Sequence, residues 1–297
     1  MKRVDFSPWK GVKAMTKLGR REFLKSGTLG MIATSFDARS KGPLQFDSKE
    51  PGGKAIRFSL GLASYTFRQF SLERTIDMTK RLGLGRIVLK SMHLPLESPE
   101  PDIAASAQEV RAAGLDLYGC GVVYMTNQAE VEQGFRYAKA AGMRMIIGVP
   151  SPELLGLVEK RVREFDIRLA IHNHGPEDKL YPTPASAYER IVNLDPRIGL
   201  CLDIGHTVRA GVDPSVAAQK CADRLLDFHI KDVTSATKEG DTIEMGRGVI
   251  DIPGFVRTIV KIGFAGTLAF EFEKDESDPL PGLAESVGYL RGILAAL

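Results

Sequence analysis

The chain is poor in the residues from which many sites are built. Of its 297 residues three are cysteine, five are histidine and one is tryptophan. Cys120, Cys201 and Cys221 are widely spaced, with no CxxC, which excludes a disulfide framework and a cysteine zinc site. Each is read as a small packing residue rather than a nucleophile. No run approaches the ~18 consecutive apolar residues of a membrane span, so no membrane contact is expected of the mature protein. A basic body is missing too. The total charge is +3, but residues 1–25 carry eight Lys or Arg against Asp5 and Glu22, so this stretch holds +6 and the remainder −3. A slightly acidic body argues against a nucleic-acid partner, which would need clustered cations on the working face.

The basic start does contain a pattern. "GRREFLKSG", with Arg20 and Arg21 paired ahead of the modestly apolar "TLGMIATSF", resembles a twin-arginine export signal. Residues 1–37 are accordingly expected to be a leader and 38–56, rich in Gly, Pro, Ser and charge, a linker. The expected destination is the periplasm or another exported location; the alternative is a cytoplasmic protein with a basic leader.

From residue 57 to 297 short apolar runs alternate with segments of helical periodicity. The runs are 58–64, 86–91, 115–121, 144–149, 168–174, 199–205, 225–232 and 267–273. Helices are expected over 71–82, 102–113, 129–141, 152–165, 185–193, 253–262 and 283–296, with another opened by Asp213 and Pro214. Gly114, Gly142 and Gly263 stand where a left-handed residue would close a helix. Near-continuous apolar strands alternating with helices imply a parallel sheet covered on both faces. Eight units predict an α/β protein, a single-domain (β/α)₈ TIM barrel. A doubly wound open sheet is the alternative, but no Gly-rich dinucleotide loop follows the first strand.

The histidines then fall into place. "IHNHG" puts His172 and His174 two apart on a strand, hence on one face. His93 lies just past the second strand, His206 just past the sixth and His229 late in the seventh, so all five lie at C-terminal strand ends, where such a barrel carries its site. Asp203 joins them from the sixth strand, and Glu271 and Glu273 from the eighth. His172, Asp203, His229 and Glu271 come from four strands. Mixed imidazole and carboxylate donors suit one divalent metal, Mn²⁺ first, with Zn²⁺, Co²⁺ or Fe²⁺ as alternatives, rather than Ca²⁺.

Together "IHNHGPED", "CLDIGHTVRAG", "HIKD", "GRGVID" and "FEFEKD" resemble the sugar phosphate isomerase/epimerase family, the xylose isomerase-like TIM barrels grouped with AP endonuclease family 2. The resemblance implies a metal held by Asp203, His229 and Glu271 with a fourth ligand from the fifth strand. His172 stands there, where the ketose 3-epimerases of the family carry a glutamate. The implied activity is carbohydrate isomerisation or epimerisation on a small-molecule sugar, by proton abstraction next to a carbonyl through a metal-stabilised enediolate. Glu271, His174 and Glu177 are candidate bases, and Lys231 and Arg247 candidate cations for orienting the substrate. His93, His206 and Glu177 are further candidate substrate contacts, and Glu273 a rim residue. A lyase of keto-glycosides begins with the same step and is the near alternative; an AP endonuclease-type phosphodiesterase and a non-catalytic sugar-binding barrel are the remoter ones.

Overall fold

A computed structural model describes residues 56–297; the expected leader, and the linker up to residue 55, lie outside the described residues. Eight parallel strands close into a barrel in the order β1 (Ser59–Ala63), β2 (Arg86–Leu89), β3 (Asp116–Met125), β4 (Met145–Pro150), β5 (Arg168–His172), β6 (Ile198–Asp203), β7 (Leu225–Ile230) and β10 (Thr267–Phe270), the last returning to β1. Between β7 and β10 a small antiparallel hairpin, β8 (Asp232–Val233) with β9 (Thr242–Ile243), stands apart from the barrel.

The helices are α1 (Leu72–Arg81), α2 (Glu100–Ala112), α3 (Gln128–Ala140), α4 (Leu155–Phe165), α5 (Pro184–Ile191), α6 (Ile204–Arg209), α7 (Pro214–Lys220), α8 (Ile252–Lys261) and α9 (Leu280–Ala296). Their ends follow local chemistry. Ser71, Asn127 and Asp251 each accept a backbone N–H from the first turn of α1, α3 and α8, and Thr183 forms a reciprocal pair with Ser186 on α5. Gly114, Gly142 and Gly263 adopt φ of 89°, 60° and 74° as expected of the residues that close α2, α3 and α8.

Two departures from expectation shape the site. The helix expected from Asp213 and Pro214 is present as α7, but an additional helix, α6, precedes it from Ile204, because Asp203 caps it by accepting the His206 N–H. The strands β5 and β10 end at His172 and Phe270, so His174, Glu271 and Glu273 stand on the loops above them. No helix among the described residues is long and apolar enough to cross a membrane.

One apolar layer fills the space between sheet and helices, with Phe67, Phe135, Phe228 and Phe255 fully buried in it. A second, smaller cluster fills the barrel itself: Ala63, Val88, Tyr118, Met145, Ile147, Ala170, Cys201 and Ala269. Side chains alternate along a strand, so the residue two positions further on points inward one layer higher. From Val88, Ala170, Cys201 and Ala269 that residue is Lys90, His172, Asp203 and Glu271. On β7 the inward pair is Asp227, registered with Cys201, and His229, registered with Asp203. The barrel floor is small and mostly apolar; the layer on it is polar.

Candidate metal and substrate site

His172, Asp203, His229 and Glu271 are each 5% exposed or less, and one donor atom from each lies within 4.8 Å of all the others. His172 Nε2 is 3.1 Å from His229 Nδ1 and 3.5 Å from Asp203 Oδ2, and His229 Nδ1 is 3.2 Å from Glu271 Oε2. Ligands at roughly 2.0–2.2 Å around a tetrahedral centre stand on the order of 3.3–3.5 Å apart, so these separations suit a shared ion. Asp203 Oδ2 accepts no hydrogen bond although it is buried, which marks an acceptor aimed at something else. The residues therefore fit a divalent metal. Cys201 with the two histidines forms a second possible set, but Cys201 sits one layer lower, packed in the apolar cluster that fills the barrel.

The electrostatics agree. Burial opposes ionisation of Asp203 and Glu271, yet Lys231 beside both, with His206 facing Asp203 and His229 facing Glu271, holds the two carboxyls well below their usual range. Burial likewise opposes a charge on His229, but Glu271, Asp203 and Asp227 hold its imidazole above the ordinary value. His172 is pushed well below it, chiefly by burial. A dication bound here would answer the negative charge of the carboxylates in place of a proton on the cluster.

Lys231 occupies the centre of the carboxylates. Its ammonium donates to Glu271 Oε2 at 2.8 Å and to Glu273, and it lies 3.1 Å from Asp203 Oδ2. Burial would discharge it, but Asp203, Glu271 and Glu273 raise its pKa well above that of a free lysine.

Above this layer stand His174 and His206, their ring centroids 5.0 Å apart and 5.0 and 5.9 Å from the His172 ring. Burial lowers both, His206 to about 4, so both imidazoles are neutral at pH 7. Tyr124, 49% exposed at the end of β3, hydrogen-bonds His174 Nδ1 through its hydroxyl at 2.8 Å. A cavity of about 450 Å³ opens beside the cluster, lined by His206, Arg209, Lys231, Glu273, Lys274 and the β8–β9 hairpin. Its size is within the range of small-ligand sites, ~300–1,000 Å³.

Not every expected residue reaches this place. Glu177 is exposed on the rim and paired with Arg209 at 2.8 Å. Arg247 is exposed and its guanidinium is bidentate on Glu285 of α9, at 2.6 Å for each bond, so it is turned away from the cluster. His93 is buried with both ring nitrogens engaged, Nδ1 with Ser64 Oγ at 2.9 Å and Nε2 with Thr75 Oγ1 at 3.0 Å and the Phe67 carbonyl at 3.1 Å. Its polar capacity is spent within the protein.

Other residues emerge only in three dimensions. Asn173 accepts the Asp203 N–H at 3.0 Å and donates to Thr207, so it braces β6 against β5. Asp227 lies in the barrel beneath His229, accepts the Tyr118 hydroxyl at 3.0 Å, and is pushed up to about 7 by burial. Asp232, fully buried, accepts four backbone N–H groups, from Val233 and Ile250 on one oxygen and Gly246 and Gly248 on the other. Period-2 parity from His229 places Asp227 inside the barrel from sequence; nothing in the sequence distinguishes the loop role of Asp232 from that of a ligand.

The model of the xylose isomerase-like TIM barrel family matches residues 67–293. The chain belongs to that family. Among curated relatives, the rhizopine catabolism protein MocC of Rhizobium meliloti is 28% identical over 145 residues, and the match covers 44% of each chain. The chain thus spans less than half the length of that relative. Two solved structures share the fold: L-ribulose 3-epimerase, at 18% identity and TM-score 0.65, covering 80% of this chain and 95% of that one, and the IolI protein with a bound zinc atom, at 17% identity and TM-score 0.66, covering 80% and 97%.

Proposed function

We propose that this family member is a divalent-metal-dependent carbohydrate isomerase or epimerase. The observation that carries the reading is the convergence of His172, Asp203, His229 and Glu271 on one buried point, with an open cavity beside it. A divalent ion at that point supplies a Lewis acid for neighbouring carbonyl and hydroxyl oxygens of a sugar, Mn²⁺ being the first choice and Zn²⁺, Co²⁺ and Fe²⁺ the alternatives. The protein's own part is positioning and proton transfer. His174, a neutral imidazole at the mouth, can take a proton from carbon and return it, while Tyr124 fixes the orientation of its ring. Glu271, held ionised by His229 and Lys231, is the weaker base and the better ligand. The likeness to L-ribulose 3-epimerase supports the class of reaction, and the likeness to the zinc-bearing IolI protein supports a metal.

A lyase acting on keto-glycosides by the same first step is the second reading. Its support is the imidazole at residue 172, which leaves the site without a pair of carboxylates flanking the substrate. Export of the protein, proposed from the Arg20–Arg21 leader, would put it among unphosphorylated sugars and favours that reading further.

Metal content of the purified protein, followed by NMR in D₂O with free ketoses and 3-keto-glycosides, tests the proposal. About one metal per chain with deuterium entering a substrate carbon is the expected result; the product then separates isomerase from lyase. His229→Ala and Asp203→Ala should each lose the metal. Stoichiometric metal retained in both variants would sink the site, and three zinc ions with DNA nicking would replace the reading by a nuclease.

A further inference from the structure

Two lysines stand at the mouth of the barrel, and their surroundings are opposite. An ammonium has three N–H donors and no acceptor. Lys231 donates to Glu271 and Glu273 and lies 3.1 Å from Asp203 Oδ2, so its charge is answered by three carboxylates within the protein. Lys90, just past the end of β2 and one inward layer above Val88, has no carboxylate or carbonyl partner for its ammonium among the described residues. The ammonium rests on the face of the Tyr65 ring, 4.9 Å from its centroid. That contact holds a cation in place without using its hydrogen-bond donors.

The backbone beneath it is fixed. The Lys90 N–H donates to Ser64 Oγ at 2.8 Å, Ser64 Oγ meets His93 Nδ1 at 2.9 Å, and the Lys90 carbonyl accepts the His93 N–H at 3.0 Å. The buried His93 therefore anchors the loop that presents Lys90. Glu271, Glu273 and Lys231 all act on the Lys90 charge, so its ammonium lies within electrostatic reach of the carboxylate cluster. Burial lowers the Lys90 pKa, the direction expected of an ammonium partly stripped of water and given no partner in return.

We infer that Lys90, and not Lys231, is the cation that hydrogen-bonds the substrate, contacting the sugar oxygen on which negative charge grows as the carbon-bound proton leaves. Lys231 is the internal counter-ion of the carboxylates. This assignment rests on the sugar-enolising function proposed above and adds to it the group that meets the developing oxyanion. A donor aimed at such an oxygen acts mainly in the transition state, so its loss lowers kcat more than it raises KM.

The test is deuterium exchange into ketoses and 3-keto-glycosides by the metal-loaded wild-type, Lys90→Met and Lys90→Arg proteins, with metal content measured on each. Lys90→Met should keep wild-type metal stoichiometry and lose about 100-fold in kcat with little change in KM. Lys90→Arg, which keeps the charge and donors, should recover part of the loss. Where Lys90→Met does not accumulate as folded protein, Lys90→Gln takes its place with the same expectations. Exchange by the methionine variant within threefold of wild type overturns the assignment alone, as does loss of its metal. No exchange by the wild-type protein overturns the functional reading and this assignment with it.

Discussion

At the scale of single residues, the two aspartates flanking His229 and Lys231 divide the labour. Asp232 spends both oxygens on four backbone N–H groups and so ties residues 246–250 to the end of β7. Asp232→Ala should cost about 3 kcal/mol of unfolding free energy, since four amides lose one shared acceptor and some stay dry. Urea titration of the variant measures this; a loss under ~1 kcal/mol would mean that water satisfies the loop. Asp227 serves the barrel interior instead, with Tyr118. Parity made much of this layer readable. His172, Asp203, His229 and Glu271 are strand-end residues whose inward side follows from the alternation of their neighbours, and the structure brings all four together. His93 and Arg247 lie on loops, where no periodicity tells a side chain which way to turn. Ser64 and Thr75 captured one and Glu285 the other. Lys90 shows the reverse case: its parity is legible, while its ammonium's lack of a carboxylate or carbonyl partner among the described residues is a fact of the folded chain.

Elements were legible where period and caps coincide, as in α1, α3 and α8, and less so where a short helix depends on a single side chain. α6 exists because Asp203 caps it, and the β8–β9 hairpin has two residues per strand, too few for alternation to register. Joints between elements carry their own electrostatics. Asp195, in the turn between α5 and β6, accepts from the Arg197 backbone and guanidinium and from Arg163 of α4. The Arg197 N–H, followed by the two guanidinium groups, lowers its carboxyl to about 2 against an ordinary value near ~3.9. Folded Asp195 is thus depressed relative to unfolded. Its contribution to stability is complete above pH ~4 and disappears as pH falls through about 2. Asp195→Asn should flatten the decline of stability between pH ~4 and ~2, measured as urea midpoints across that window. An unchanged slope would show that other carboxyls govern acid unfolding.

For the whole molecule, a metal held at the proposed site would couple folding to metal binding. An ion held only by the folded chain stabilises it by about 4 kcal/mol at a thousand times its Kd. For a domain of this size that corresponds to roughly 10 °C in Tm, so removing the metal with a chelator should lower Tm by that order and restoring it should reverse the change. Calorimetry on both forms decides this, and identical melting curves would speak against a buried site. The barrel also distributes its tolerance unevenly. His172 makes its contacts through Nε2 alone, its Nδ1 having no hydrogen-bond partner among the described residues, and its backbone caps no helix. Asp203 has no such freedom, since one of its oxygens starts α6 and the other faces the cluster. A lineage exploring new reactions on this scaffold could rewrite residue 172 in a single step, whereas residue 203 is held in place by two unrelated obligations at once.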